Sequence, residues 1–349
     1  MKKNTFLEEI YEQPEAILRA VEKFSLVREE AENLVKDFQS GRFAKIVITG
    51  MGSSYYCAYP SSIRLIRRGI PTFNVVTSEL INYYPTLVDK NTLLILISQS
   101  GESIETKRVL DRCKHSGLTI SITTNMNNSL SNKSDLAIET GAGYEEAVSS
   151  KTYTSTLAML YLIDSCFLKE DIGQSISNLE KVSKLISQNL DKWRVSVNSI
   201  VEQMAKIEQM VFIGRGPSYA TAQTASLITL EASKLYTTYF SGGQFRHGPM
   251  EIVRKGFNSV IFNGDSITQE LNKKLAQDIY QLGGVVIYLS PNREKVTNNM
   301  HVIEIPEVEQ ELLPIIEIVP MQLMTIPLAI RNGFTPAKFE VCEKVTREE

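Results

Sequence analysis

Short runs of aliphatic and β-branched residues alternate with segments of helical pattern along most of the chain. Continuous apolar runs that alternate with helices are typical of a parallel sheet that helices cover on both faces. The sequence therefore predicts an α/β fold. The predicted strands begin near residues 45, 72, 92, 118, 135, 209, 259, 285 and 301.

The second half of the chain repeats the first. The segment KIVITGMGSSYYCA (45–58) corresponds to QMVFIGRGPSYATA (209–222), because each has a strand-like run, a Gly-x-Gly turn and a Ser-Tyr pair that opens a helical pattern. Long helical segments precede the two copies, at about residues 5–38 and 174–207. This repeat predicts two tandem domains, each a parallel sheet between two layers of helices, with bridging helices. The predicted domains are residues 1–170 and 171–335, followed by a C-terminal tail at 336–349.

Composition narrows the class of protein. With 349 residues and a net charge of −3, the chain fits two domains and lacks the basic character of a nucleic-acid or anionic-membrane partner. Its four cysteines form no CxxC pair, which argues against a disulfide framework or a structural zinc site. The N-terminus lacks the apolar core of a signal peptide, and no apolar run approaches the ~18 residues of a membrane span. We expect a cytoplasmic protein.

Three loops at predicted strand-to-helix junctions of the first half are rich in small hydroxyl residues. They are GMGSS (50–54), SQSGES (98–103) and VSSKTYTS (148–155). A serine before a helix is usually an N-cap, but three such loops at one edge of one sheet favour an anion site. A dinucleotide site is disfavoured, because GMGSSY lacks the third glycine of the fingerprint. The hydroxyl donors are Ser53, Ser54, Ser98, Ser100, Ser103 and Ser149.

The second half differs where chemistry is expected. Its counterpart of SQSGES is FNGDSI (262–267), which lacks the hydroxyl cluster. Glu231 is predicted to share an apolar helix face with Leu227 and Leu230, where burial would raise the pKa of its carboxyl and suit it to a chemical role. The alternative is a glutamate on the helix surface. His247, in RHGP, is one of three histidines, and taken alone it is a solvated loop residue.

These motifs together resemble the sugar isomerase (SIS) family, in the tandem form found in the isomerase half of glucosamine-6-phosphate synthase and its single-purpose relatives. The resemblance extends over almost the whole chain and implies a sugar-phosphate site. The implied substrate-binding residues are Gly52, Ser53, Ser54, Ser98, Gln99, Ser100, Ser103, Val148 and Ser149.

The resemblance also implies three catalytic residues. The family glutamate lies 16 residues before the histidine of its His-Gly-Pro motif, a spacing that matches Glu231 and His247 here. The tail lysine of the family matches Lys344 in KVTREE. In the family the histidine reaches the site of the neighbouring subunit, which implies a homodimer. We expect no metal and no cofactor.

Departures from the family pattern narrow the predicted activity. The chain begins at the isomerase lobe, so a glutaminase domain is not expected; Ile228 stands where the synthase has a lysine, and Gln244 where a glutamate is common. We therefore predict ring opening, proton transfer between C1 and C2, and amine release on an amino-sugar 6-phosphate. The alternatives are a fructosamine-6-phosphate deglycase, a simple aldose/ketose-6-phosphate isomerase and a non-catalytic sugar-phosphate sensor.

Overall fold

Five parallel strands form a first sheet, sheet A, in a computed structural model that describes residues 5–205, 207–291, 300–341, 343 and 344. Their order is β2-β1-β3-β4-β5, so the first strand in sequence lies inside the sheet. Every neighbouring pair is parallel. The strands are β1 (Lys45–Gly50), β2 (Thr72–Val76), β3 (Thr92–Ile97), β4 (Leu118–Thr123) and β5 (Leu136–Glu139).

A second sheet, sheet B, repeats this arrangement. Its order, β10-β9-β8-β6-β7, is the order of sheet A read from the other end, and all its pairs are parallel. The predicted α/β class and the predicted repeat are therefore confirmed. The strands are β6 (Gln209–Gly214), β7 (Tyr236–Ser241), β8 (Asn258–Phe262), β9 (Val285–Ser290) and β10 (Met300–Glu304).

Helices connect and cover the strands. The long helical segments predicted before each copy are present, as α1 with α2 and as α9. The α-helices are α1 (Thr5–Tyr11), α2 (Gln13–Gln39), α3 (Ser53–Tyr56), α4 (Ala58–Ile66), α5 (Thr77–Asn82), α6 (Ile104–Arg112), α7 (Ser129–Lys133), α8 (Lys151–Phe167), α9 (Ile172–Gln203), α10 (Ser218–Ser233), α11 (Gly242–Arg246), α12 (Gln269–Gln281) and α13 (Leu313–Arg331). Short 3-10 helices span Pro85–Leu87, Pro249–Ile252 and Gln310–Leu312.

The chain forms two compact units, each assembled from separate segments. The N-terminal unit contains Glu12–Glu145, Lys151–Ser183 and the described residues from Val341 onward. Its core includes Val47 and Leu94 of sheet A packed with Val109 of α6, and every residue of α8 is buried.

The C-terminal unit contains sheet B and is built around helix α13. Its segments are the described residues up to Tyr11, Glu146–Ser150 and Lys184–Glu340. By length and composition the segment Gln310–Arg331 could cross a membrane, so the expectation that no apolar run reaches that length is wrong. However, 83% of its most apolar window is buried inside the structure, as in a core helix. The division into domains at residues 170 and 335 stays a prediction.

Each repeat begins with a close approach between a strand end and the following helix. A Cβ at Gly50 would lie 2.8 Å from the backbone carbon of Ser54, and a Cβ at Gly214 would lie 2.2 Å from the carbonyl oxygen of Ser218. Neither distance is compatible with a side chain. The repeated glycine therefore lets the chain turn directly from the strand into the helix.

Replacing Gly214 by alanine is expected to lower the free energy of unfolding by about 1–3 kcal/mol, because the new methyl group must push the start of α10 away from β6. Gly243→Ala is the control, since a Cβ there would meet its nearest neighbouring atom at 3.6 Å, an ordinary contact. Urea unfolding of both variants measures the difference. Equal stabilities would contradict the steric explanation.

Candidate active site

The first hydroxyl loop follows β1. Gly52 has a φ of 52°, a left-handed conformation that favours glycine, and it precedes α3. Ser53 and Ser54 are partly exposed beside it. Cys57 is buried, which raises the pKa of its thiol, and its Sγ donates to the carbonyl of Ser54. This cysteine therefore supports the loop and is not a nucleophile.

The second hydroxyl loop follows β3 and is held by its own serines. The Ser98 hydroxyl accepts from the backbone N–H of Gly101 at 3.1 Å, and Ser100 accepts from Glu102 at 3.2 Å. Ser103 caps α6 by accepting from the Thr106 N–H. The N-cap interpretation is thus correct for Ser103. All three serines remain partly exposed, so their hydroxyls stay accessible to a ligand.

The acidic residue of this loop is bound on its other side. The Glu102 carboxylate accepts from the backbone N–H of Ser129 at 2.6 Å and pairs with Lys107 at 2.8 Å. These interactions, the Lys107 one first, lower the pKa of Glu102 to about 2. Glu102 therefore stays ionised but is already neutralised by Lys107, which limits its repulsion of a nearby anion.

The first two loops lie next to each other. They follow β1 and β3, which are neighbouring strands, and a Cβ at Gly50 would lie 3.0 Å from the carbonyl oxygen of Ile97. In the third loop, Val148 is buried and Ser149 is partly exposed, and both belong to the C-terminal unit. Their approach to the first two loops stays a prediction.

Lys344 is held by a buried glutamate that the sequence did not single out. Its Nζ donates to the backbone carbonyl of Glu145 and lies 3.3 Å from the Glu145 carboxylate. That carboxylate also accepts from the Thr152 N–H at 3.1 Å and from the Thr152 hydroxyl at 2.6 Å. Glu145 is a positioning residue: it fixes the ammonium group of Lys344 to the first turn of α8. The tail beyond Lys344 lies outside the described residues.

Glu231 shares a face of α10 with Leu227 and Leu230, as expected, but that face is not buried. Leu230 is 38% exposed, and Leu227 and Glu231 are partly exposed, whereas Ile228 and Ala232 are fully buried. The expected burial of the Glu231 face is therefore wrong. The packed face of α10 consists of small residues together with Ile228, because α13 packs closely against it. The aliphatic residues around Glu231 are left on the surface of the chain.

Glu231 and His247 lie at opposite edges of sheet B. Helix α10 starts at the carboxyl end of β6 and returns to the amino end of β7, so Glu231, near its last turn, lies at the amino edge. His247 follows β7 and α11 at the carboxyl edge, and it is exposed. A six-residue strand separates the two edges by on the order of 17 Å. The structure does not bring these two residues together within one chain.

A second buried carboxylate closes the carboxyl edge of sheet B. Glu317 of α13 is fully buried, and it accepts from the Ser218 hydroxyl at 2.9 Å and the Thr221 hydroxyl at 2.8 Å. It also accepts from the backbone N–H of Gly264, in the loop that corresponds to SQSGES. Burial raises the pKa of Glu317 to about 7. In sheet B the carboxyl of Glu317 therefore occupies the position at which sheet A has partly exposed hydroxyl loops.

Two segments, residues 42–165 and 203–331, match the SIS domain. The chain belongs to the SIS domain family. Each match contains one of the two sheets. A SIS protein of Pyrococcus horikoshii named glutamine–fructose-6-phosphate aminotransferase (isomerizing) is 31% identical over 342 residues, covering 95% of this chain and 55% of that protein. The protein of the same name in Pyrobaculum aerophilum is 28% identical over 338 residues, and the match again covers 95% of this chain and 55% of that protein. The chain spans about half the length of these relatives.

Solved structures of SIS proteins have the same fold. The C-terminal domain of the Francisella tularensis glucosamine-fructose-6-phosphate aminotransferase superposes with a TM-score of 0.86 at 25% identity, over 96% of this chain and 98% of that one. The glucosamine-6-phosphate deaminase of Thermotoga maritima superposes with a TM-score of 0.75 at 22% identity, over 99% and 100%. At 22% identity, the similarity to the Thermotoga maritima protein supports a shared fold and not a shared activity.

The carboxyl of Glu317 makes the stability of this SIS protein depend on pH. The unfolded carboxyl loses its proton near 4.5, whereas the folded one keeps it until about 7. Folding therefore takes up a proton between these values, and the free energy of unfolding should fall as the pH rises through that window, by on the order of 3 kcal/mol.

Denaturant unfolding from pH 4.5 to 8 measures this effect in wild type and in Glu317→Gln. The variant keeps one acceptor oxygen for one of the two hydroxyls, and its amide NH2 can donate to the other, so we expect it to lose most of the decline between pH 4.5 and 7. Glu251→Gln, at an exposed position, is the control. Parallel curves for wild type and Glu317→Gln would contradict a raised pKa at Glu317.

Proposed function

We propose that this SIS protein opens an amino-sugar 6-phosphate, transfers a proton between C1 and C2, and releases the amine by hydrolysis. The observation that carries the proposal is the adjacency of the two hydroxyl loops at the carboxyl edge of sheet A, in the unit that also positions Lys344. Partly exposed serine hydroxyls at helix starts along that edge suit a phosphate. The proposed phosphate-binding residues are Gly52, Ser53, Ser54, Ser98, Gln99, Ser100, Ser103, Val148 and Ser149.

The phosphate anchors the sugar without reacting, so its binding energy serves to orient the reacting carbons. His247 opens the ring by moving a proton between the ring oxygen and the anomeric hydroxyl, as an imidazole can near neutral pH. The Glu231 carboxylate then carries a proton between C2 and C1. Lys344 stabilises the charge of the enolate or forms an imine with the ketose carbonyl.

Proton transfer leads directly to loss of nitrogen. In a 2-amino aldose, moving the proton from C2 to C1 gives a 1-hydroxy-2-imine, and addition of water across C2=N releases ammonia and leaves the ketose. In a fructosamine, transfer from C1 to C2 gives an imine at C1, and water releases the amine and leaves the aldose. Both reactions use the same proton transfer between C1 and C2 by the Glu231 carboxylate. Plain aldose/ketose isomerisation uses it as well.

We further propose a homodimer in which His247 serves the partner's site. The support is topological: Glu231 and His247 lie at opposite edges of sheet B, so one chain cannot place both on the same sugar. A second copy supplies the missing histidine. Cytoplasmic localisation is part of the proposal, and the described cysteines Cys57, Cys113 and Cys166 are free and buried.

The names of relatives support the choice of substrate class. The curated SIS relatives are named glutamine–fructose-6-phosphate aminotransferase, and the structural neighbours include a glucosamine-6-phosphate deaminase and a tagatose-6-phosphate ketose/aldose isomerase. Ile228, where a lysine stands in the synthase pattern, favours amine release over amide transfer. A sensor would bind the same phosphosugars without consuming them.

Mixing two inactive variants tests the shared site. Glu231→Ala and His247→Ala should each abolish activity, and after subunit exchange an equimolar mixture should regain about a quarter of the wild-type rate, because half of the dimers are mixed and each holds one intact site. Confirmed exchange with no recovery would place His247 in the site of its own chain.

Substrate assays test the reaction itself. Wild type is incubated separately with glucosamine 6-phosphate, fructoselysine 6-phosphate and glucose 6-phosphate, and ammonia, lysine and fructose 6-phosphate are measured. Glu231→Gln should lower whichever activity is found by at least about 100-fold, because an amide cannot carry the proton. If wild type consumes none of the three compounds but a thermal shift still detects their binding, the protein is a sugar-phosphate sensor and the enzyme proposal is wrong.

A further inference from the structure

Arg215 occupies the first turn after β6, at the carboxyl edge of sheet B. Its Nε donates to the Asn272 side chain at 3.0 Å, which fixes the plane of the guanidinium. The same group lies against Gly242, where a Cβ would be only 2.5 Å from Nε. A side chain at position 242 would therefore displace the guanidinium from this place. The hydrogen bond to Asn272 therefore holds the guanidinium of Arg215 in one orientation at this edge.

The charge of Arg215 is not neutralised by the part of the chain that the structure describes. Its bond to Asn272 is with a neutral amide, and no carboxylate among the described residues pairs with it. Partial burial lowers the pKa of Arg215, and the positive charge of the nearby Arg246 lowers it further. Arg246 itself pairs with Asp278 at 2.6 Å. The guanidinium of Arg215 therefore has no paired carboxylate, and its two terminal nitrogens make no hydrogen bond within the described residues.

This cation lies at the same edge of sheet B as the residue proposed to open the sugar ring. Gly242, which contacts Arg215, begins the short helix α11, and His247 follows that helix directly. Arg246 is the preceding residue. A sugar whose anomeric end reaches His247 would therefore lie at the same edge of sheet B as Arg215.

We propose that Arg215 binds a carboxylate on the amine that the substrate carries, so that the preferred substrate is a fructosamine 6-phosphate formed from an amino acid. This inference rests on the proposed function. The hydroxyl loops already account for the phosphate, and a fixed guanidinium fork matches the two oxygens of a carboxylate. A substrate that releases ammonia has no group to place there. Arg215 is thus a specificity-determining residue, and the leaving amine is an amino acid.

The test compares two substrates that differ only in charge at this position. They are the 6-phosphates of N-fructosylglycine and N-fructosylglycinamide, the second being a neutral isostere of the first. Wild type should favour the glycine conjugate by about 10-fold or more in kcat/KM, since a hydrogen bond to a charged group is worth that much. Arg215→Gln should remove the preference by lowering turnover of the glycine conjugate alone. Arg215→Lys should restore part of it.

Arg254→Gln is the matched control, because it removes one exposed positive charge from the same unit and should leave the preference intact. Unfolding midpoints check that each variant folds. An equal loss on both substrates in Arg215→Gln and Arg215→Lys would show that Arg215 only supports the turn, and would overturn the proposal. So would wild-type turnover of both conjugates without preference, which leaves the proposed function standing.

If wild type turns over neither conjugate nor glucosamine 6-phosphate, the proposed function fails separately. Calorimetric titration then measures binding of the two conjugates to wild type and to Arg215→Gln. Tighter binding of the glycine conjugate that disappears in the variant supports the carboxylate site. Equal affinities overturn it.

Discussion

The parallel direction of all strands in each sheet determines where chemistry can occur in this protein. Because every carboxyl end within a sheet reaches the same edge, loops that are distant in sequence become neighbours there. In sheet A this brings the two serine loops together. In sheet B the same direction separates Glu231 from His247, because a helix that leaves the carboxyl edge must return to the amino edge before the next strand begins. One topological rule thus accounts both for the adjacency of the two serine loops and for the separation of Glu231 from His247.

The two sheets have the same topology but different chemistry at their carboxyl edges. Sheet A keeps partly exposed serine hydroxyls and exposed turns. Sheet B has the Glu317 carboxyl pointing into the corresponding loops, held by Ser218, Thr221 and the Gly264 N–H. A carboxyl in this position satisfies those donors from within the chain. The hydrogen-bond donors that stay partly exposed in sheet A are therefore bonded within the chain in sheet B. Arg215 and His247 lie in the turns at the carboxyl edge of sheet B.

The fold was largely predictable from sequence, and the site only in part. Nine strands are visible as apolar runs, but β7 was missed because its residues YTTYFS mix threonines and aromatics on an edge strand that is only half-buried. Glu231 was expected on a buried face because Leu227 and Leu230 flank it, and only the packing of α13 shows that the small residues form the buried side. Glu145 and Glu317 could not be found from local pattern, since their partners lie far away in sequence.

The N-terminal unit includes Lys344 in a short segment that begins at Val341, although its preceding segment ends at Ser183. Synthesis proceeds from the N-terminus, so a growing chain forms sheet A and its serine loops well before it makes this lysine. The two serine loops of this unit can therefore fold before the ammonium group that Glu145 holds has been synthesised. The Lys344 contact with Glu145 joins residues 199 positions apart, so it can form only after the described segments of the C-terminal unit have been synthesised.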